Sequence, residues 1–166
     1  MISKKIVITG HFGVGKTSLF NRFISNTFSE KYLTTIGVRV DKKTVIINGE
    51  EISLILWDLA GEVSQEKVPR SYFLGASAVV YVFDLTRPAT YKRIEQDLTF
   101  INSVLPDILV RKVGNKRDLV GDEVLSKVQA EVAPHIFTSA RTGENVEDLF
   151  RGIGEALLHP GTPGDY

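Results

Sequence analysis

Cysteine is absent from this chain of 166 residues, which excludes a disulfide framework, a thiolate zinc site, a cysteine nucleophile and a thioether-linked lipid. A charge excess of either sign is also missing. Twenty Lys and Arg side chains balance twenty Asp and Glu at pH 7, so no basic field attracts nucleic acid and no polybasic segment attracts anionic lipid. Long apolar runs are lacking too. Ile6, Val7 and Ile8 stand alone between Lys5 and Thr9, and the run from Ala76 to Phe83, broken only by Ser77, ends at Asp84. Neither has the length of a signal peptide or a membrane span. There is no internal repeat and no low-complexity segment. With 43% hydrophobic and 24% charged residues, the chain is long enough for one domain with a substantial core and too short for two. The expectation is one cytoplasmic domain over residues 1–159 with a flexible tail at 160–166, whose partners are small ligands or other proteins.

What the chain does have is Gly10-His11-Phe12-Gly13-Val14-Gly15-Lys16-Thr17, a Gly-x-x-x-x-Gly-Lys-Thr loop between an apolar run and a helical pattern. Such a loop is a phosphate cradle. Glycines let the backbone turn sharply with its N–H groups pointing inward, so a nest of amides and a helix N-terminus meet a diphosphate. Lys16 would reach the outer phosphates and Thr17 would ligate magnesium.

Along the chain, Ile6 to Thr9 reads as a buried strand, and Leu19, Phe20, Phe23 and Ile24 lie on one face of the helix after the loop. Residues 25–37 are polar and aperiodic, and a strand follows from Val38 to Ile47. Asn48-Gly49 is a two-residue hairpin signal, so the next strand (Ile52, Leu54, Leu56) should pair with it antiparallel. The stretch 59–70 is polar again. The run ending at Phe83 reads as a strand covered on both faces. Pro88 permits a helix start, and Tyr91, Ile94, Leu98, Ile101 and Leu105 keep helical spacing to Pro106. Then come a strand at Ile108 to Val113, a short helix at Asp122 to Ala130, a strand at His135 to Thr138 and a helix carrying Val146, Leu149, Phe150, Ile153 and Leu157 inward. Gly152 and Gly154 weaken that helix by roughly 1 kcal/mol each relative to alanine. This order predicts an α/β fold: a doubly wound, six-stranded, mostly parallel sheet with one antiparallel hairpin strand, flanked by helices, its ligand at the carboxyl ends of the strands.

Three further signals fall on that edge. Asp58-Leu59-Ala60-Gly61 closes a strand, where an Asp can hold magnesium through water and a Gly N–H can meet a terminal phosphate. Asn115-Lys116-Arg117-Asp118 follows another strand. Its carboxylate at Asp118 can accept both N–H donors of guanine's Watson–Crick edge, where adenine offers a different pattern. Asn115 would tie the base loop to the phosphate loop, and the Lys116 stem would cover the ring. Ser139-Ala140-Arg141, after the last strand, can offer a backbone N–H to a purine oxygen.

In order and spacing these stretches resemble the Ras-like small GTPases, most closely the Rab branch, as do Thr34-Thr35-Ile36-Gly37-Val38, Tyr72-Phe73-Leu74-Gly75-Ala76 and Val82-Phe83-Asp84-Leu85-Thr86. The resemblance implies a P-loop G domain that binds GTP or GDP with magnesium and hydrolyses GTP. It also implies two nucleotide-sensing loops, about 25–37 and 59–72, that meet effectors and exchange or activating proteins. It puts Gly13, Val14, Gly15, Lys16, Thr17, Ser18, Phe28, Tyr32, Thr35, Gly61, Asn115, Lys116, Asp118, Ser139, Ala140 and Arg141 around the nucleotide. Thr17, Thr35 and Asp58 fall around the metal, and Lys16, Gly61 and Glu62 at the catalytic positions. Phe28 edge-on to the base competes with Phe28 as core packing, and Tyr32 as a lid competes with an ordinary loop tyrosine.

The chain also departs from the family. Glu62 stands where most members carry the glutamine that orients attacking water, bringing negative charge toward a transition state already rich in it. Phe12 replaces a small residue, where its ring either obstructs an arginine finger or packs outward on a switch loop. His11 reads as a loop-surface residue, and Arg141 replaces the usual lysine. Only twenty residues separate Asp118 from Ser139, so the fourth major helix should be truncated. Arg111 and Lys112, consecutive in a strand, should point to opposite faces and snorkel or meet a partner. Two functional readings follow: a switch protein with slow magnesium-dependent hydrolysis, or a GTP-binding interaction module that does not turn over. An ATP-dependent P-loop enzyme is disfavoured by Asp118. No autonomous lipid anchor is expected, because the tail carries no cysteine.

Overall fold

The computed structural model describes residues 1–31 and 35–161. Its centre is β1 (Ile2–Gly10), which pairs in parallel with β3 (Glu50–Leu59) on one side and β4 (Ala78–Asp84) on the other. Beyond β3 lies β2 (Val38–Ile47), antiparallel to it; beyond β4 lie β5 (Leu109–Asn115) and β6 (Ile136–Phe137), both parallel. The six-stranded order is β2-β3-β1-β4-β5-β6. Connections from β1 leave one way and return the other, so a crevice opens at its carboxyl end, where the glycine-rich loop begins. Asn48 (φ 51°) and Gly49 (φ 84°) close the hairpin with two consecutive left-handed residues. That backbone matches the right-handed twist of the flanking strands, which is why Asn-Gly occupies it.

Alternate residues of the central strands feed two cores. On one face Ile6, Ile8, Leu54, Leu56, Val80 and Val82 pack under α1 (Lys16–Ser25) and α5 (Val146–Leu158). Phe23 and Phe150 stack there with centroids 4.3 Å apart. On the other face Val7, Val79, Tyr81 and Phe83 meet α3 (Ile94–Val104), α4 (Asp122–Glu131) and the short α2 (Arg70–Phe73). All of β4 is buried, and each of its large apolar side chains contributes about 1.5–3 kcal/mol relative to exposure. Gly154 has a packing reason to be glycine: a Cβ there would come to 2.5 Å from Ile47 Cδ1, whereas the space beside Gly152 is open.

Several boundaries differ from the sequence reading. β1 begins four residues earlier, because Ile2 to Lys5 continue the ladder with β3 although only the second half of the strand is buried. A 3₁₀ turn at Pro88–Thr90 precedes α3, which starts at Ile94. β5 runs through Asn115, paired with Asp84, so the 115–118 segment starts inside the ladder. β6 keeps only two residues. The polar stretch 59–70 contains a 3₁₀ turn at Gln65–Lys67. α4 is ten residues long, and Lys112 reaches past its end to donate to the Val132 carbonyl at 2.7 Å. Its stem thus snorkels to a backbone partner.

Gln65 is fully buried, which its place in a polar stretch does not suggest. Its Oε1 accepts from Thr9 Oγ1 at 2.6 Å, and its N–H donates to Asp97 Oδ1 at 3.1 Å. Asp97 Oδ2 in turn accepts from Tyr81 at 2.6 Å, and burial pushes the Tyr81 hydroxyl pKa well above its ordinary value. The chain of bonds fastens the 62–68 segment to β1, β4 and α3. Tyr81→Phe should therefore lower stability by about 1–3 kcal/mol, by leaving a buried carboxylate oxygen without its donor. Chemical denaturation measures this.

Candidate nucleotide-binding site

The glycine-rich loop leaves β1 at Gly10 and enters α1 at Lys16. Gly10 (φ 143°) and Gly15 (φ 101°) have backbones that L side chains rarely adopt, and a Cβ would strike the Val82 carbonyl at the first and the Asn115 amide at the second. Side chains grip the outward carbonyls of the loop. Lys16 Nζ donates to His11 O at 2.7 Å, Lys116 Nζ to Gly13 O at 2.9 Å, and Asn115 Nδ2 to Val14 O at 3.0 Å. The loop opens into a cleft of about 780 Å³ lined by Gly13, Gly15, Lys16, Thr17 and Ser18 among others. Burial pushes the Lys16 ammonium down to about 8, against the favourable charge of Asp58. Such a buried cation calls for an anion nearby.

Three oxygens meet at the near wall. Thr17 Oγ1 donates to Asp58 Oδ2 at 2.6 Å, and Thr35 Oγ1 lies 2.5 Å from Thr17 Oγ1. Asp58 is buried at the end of β3; desolvation raises its pKa, opposed by the Thr17 hydrogen bond and by the charges of Lys16 and Arg39. Its second oxygen, Oδ1, is buried with no hydrogen-bond partner among the described residues. An orphaned carboxylate oxygen beside two hydroxyls suits a hard, oxygen-seeking cation and its water. Among the described residues no three His, Cys, Asp or Glu side chains cluster to hold a metal alone, so a cation here would need oxygens of water or of a bound ligand for the rest of its shell.

The far end of the cleft gathers Phe28, Asn115, Lys116, Asp118, Ala140 and Arg141. Asn115 Oδ1 accepts from Thr138 Oγ1 at 3.0 Å and from the Ala140 N–H at 3.3 Å, joining the segments that follow β5 and β6. Ser139 Oγ donates to Asp118 Oδ1 at 2.8 Å and so aims the carboxylate. Phe28 lines the cleft and is 36% exposed, so it is not core packing. Gly61 and Phe12 line the cleft mouth, and a Cβ on Gly61 would overlap the Phe12 backbone. Phe12 is itself 46% exposed. Val14, Asp58 and Ser139 stand behind the lining, buried. Glu62 lies nearby, its N–H on Gly10 O at 3.3 Å. Tyr32 falls outside the described residues.

The Ras family model matches residues 5–159. Rab-1 of Theileria parva is 36% identical over 163 residues, 92% of this chain and 73% of the relative. Rab-1A of Dictyostelium discoideum is 35% identical over 153 residues, 88% of this chain and 76% of the relative. Rab-4B of Rattus norvegicus is 33% identical over 162 residues, 93% of this chain and 76% of the relative. The chain belongs to the Ras family, in its Rab branch. It is thus a small GTP-binding switch protein of a GTPase family. No helix among the described residues is long and apolar enough to cross a membrane.

Sequence reasoning missed three residues of this Ras-family site. Arg22 holds the 139–141 loop, donating to Ala140 O at 2.8 Å and to Arg141 O at 2.5 Å. Asp84, fully buried at the end of β4, faces Lys116 Nζ at 2.8 Å. Arg87 donates to Phe12 O at 3.1 Å. A charged residue closing a buried strand was the one signal that pointed at Asp84; Arg22 and Arg87 have none, since their partners are distant in sequence.

Proposed function

We propose that this protein binds GTP and GDP with magnesium in the described cleft, senses the third phosphate through residues 25–37 and 59–72, and hydrolyses GTP slowly. The observation that carries the reading is the convergence of the glycine-rich loop, the Thr17–Thr35–Asp58 oxygens and the Asn115–Asp118 segment on one cleft. In this reading the inward amides of the loop and Lys16 bind the diphosphate, and Asp118 accepts from guanine. Thr17 and Thr35 would hold magnesium directly and Asp58 through water; bound there, the ion neutralises charge developing on the phosphates. Gly61 N–H would meet the terminal phosphate, and Glu62 occupies the position at which most family members carry the water-orienting glutamine. The nucleotide-sensing loops are the surfaces offered to effectors and regulators.

Slow turnover is supported by the carboxylate at 62, and Phe12, exposed at the cleft mouth, would obstruct an arginine finger entering from a partner. The same two residues favour a second reading, a module that binds GTP without cleaving it. Single-turnover cleavage followed by phosphate release separates the two. For binding itself, the purified protein should carry GDP or GTP. Its melting temperature should rise with added GDP and fall on magnesium chelation, since ligand at a thousand times its dissociation constant stabilises by about 4 kcal/mol. A melt indifferent to both GDP and EDTA would overturn the binding assignment.

A further inference from the structure

Lys116 and Arg87 form a pair of arms on the phosphate loop. Lys116 Nζ donates to Gly13 O at 2.9 Å and Arg87 NH1 to Phe12 O at 3.1 Å, so two consecutive loop carbonyls are each held by a cation from outside the loop. Both cations face the same carboxylate oxygen, Asp84 Oδ2, at 2.8 Å from Lys116 and 3.9 Å from Arg87. Asp84 is itself immobilised: its Oδ1 accepts from the Thr86 N–H at 2.8 Å and the Thr86 hydroxyl at 2.6 Å, and its side chain is fully buried. The Phe12 carbonyl is also 3.1 Å from His11 Nδ1.

In a trans peptide the carbonyl and the next residue's N–H point in opposite directions. Holding Phe12 O outward therefore aims the Gly13 N–H inward, and holding Gly13 O outward aims that of Val14. Gly13 has a left-handed φ of 74°, and glycine leaves neighbouring peptides free to rotate, so these planes need external fixing. We propose that Arg87, whose backbone N–H donates to the Asp84 carbonyl at 3.0 Å and whose guanidinium lies 3.9 Å from Asp84 Oδ2, is a positioning residue for the diphosphate: it orients the Phe12–Gly13 peptide so that its amide meets phosphate. Asp84 serves base and phosphate at once, because it also holds Lys116 beside the base pocket. Arg87 is 41% exposed at its side chain, so its role lies in orientation rather than in a strong ion pair. This inference rests on the nucleotide assignment above.

The test uses the full chain loaded with GDP. Arg87→Met keeps an unbranched stem and removes the donors. It should speed release of fluorescent N-methylanthraniloyl GDP about three- to tenfold, the range one hydrogen bond of ordinary net strength covers. Asp84→Asn should speed it more, by loosening both arms, and the double variant should fall short of the product of the singles because they act through one device. Phosphorus NMR of bound GDP provides the reading that a merely structural role would not: Arg87→Met should move the β-phosphorus resonance and leave the α resonance in place. Release within 1.5-fold of the parent chain, or faster release with an unmoved β resonance, would overturn the proposal. If the parent chain itself binds no GDP, the nucleotide assignment fails and takes this inference with it. If it binds tightly and Arg87→Met is silent, only the role of Arg87 fails.

Discussion

Asp118→Asn should weaken GDP binding by about a hundredfold to ten-thousandfold and raise affinity for xanthosine diphosphate. The carboxylate lines the far end of the cleft and is aimed by Ser139, whose hydroxyl donates to Oδ1 at 2.8 Å. An ionised carboxylate accepts from both N–H groups of guanine's edge, and hydrogen bonds to a charged group are worth about 1.5–3 kcal/mol each. An asparagine presents one oxygen and one NH₂ instead, so its donor faces guanine's exocyclic amine, and a pairing is replaced by two opposed donors rather than merely weakened. Xanthine carries an oxygen at that position, which the new amide donor satisfies. Competition of the two diphosphates against fluorescent GDP measures the exchange of preference. An unchanged preference would mean that the base is read elsewhere in the cleft. The Ser139 hydroxyl can still donate to the asparagine oxygen, so the loop itself should keep its shape and the effect should be confined to the base.

The parts of this protein that local pattern could reveal are those whose physics is local. Gly10 and Gly15 announce themselves because their backbones exclude a Cβ, and Asn48-Gly49 because two left-handed residues in succession admit few sequences. The doubly wound sheet followed from apolar runs alternating with helical periods. What stayed hidden depends on distant partners. Arg87 meets Phe12 across 75 residues of sequence, and Arg22 meets Arg141 across 119. Gln65 and Asp97 are polar residues in a core, a pattern that reads as surface until Thr9 and Tyr81 of the neighbouring strands are placed beside them. Strand ends erred for a related reason: Ile2 to Lys5 form a ladder with β3 although hydrophobic periodicity fades there, because backbone pairing does not require buried side chains.

Glu62→Gln should raise the single-turnover rate of GTP cleavage about five- to thirtyfold while leaving GTP affinity nearly unchanged. Glu62 directly follows Gly61 of the cleft mouth, its backbone N–H is on the Gly10 carbonyl at 3.3 Å, and the residue is half-buried. Cleavage of the terminal phosphate gathers negative charge on the phosphate oxygens, and a carboxylate beside that charge opposes it more in the transition state than in the bound substrate. Replacing it by a neutral amide of the same size removes the repulsion, worth about 1–2 kcal/mol in a partly solvated site, and supplies a donor and an acceptor for attacking water. The effect belongs to the rate rather than to binding because the group meets water more than nucleotide. Phe12→Gly in the same background separates geometry from charge: with the exposed ring gone from the cleft mouth, an activating protein with an inserted arginine gains access, whereas the intrinsic rate should move little. A slower Glu62→Gln variant would reverse the argument. The carboxylate would then be orienting water or accepting its proton, and the substitution at this position would be a working alternative to glutamine rather than a brake.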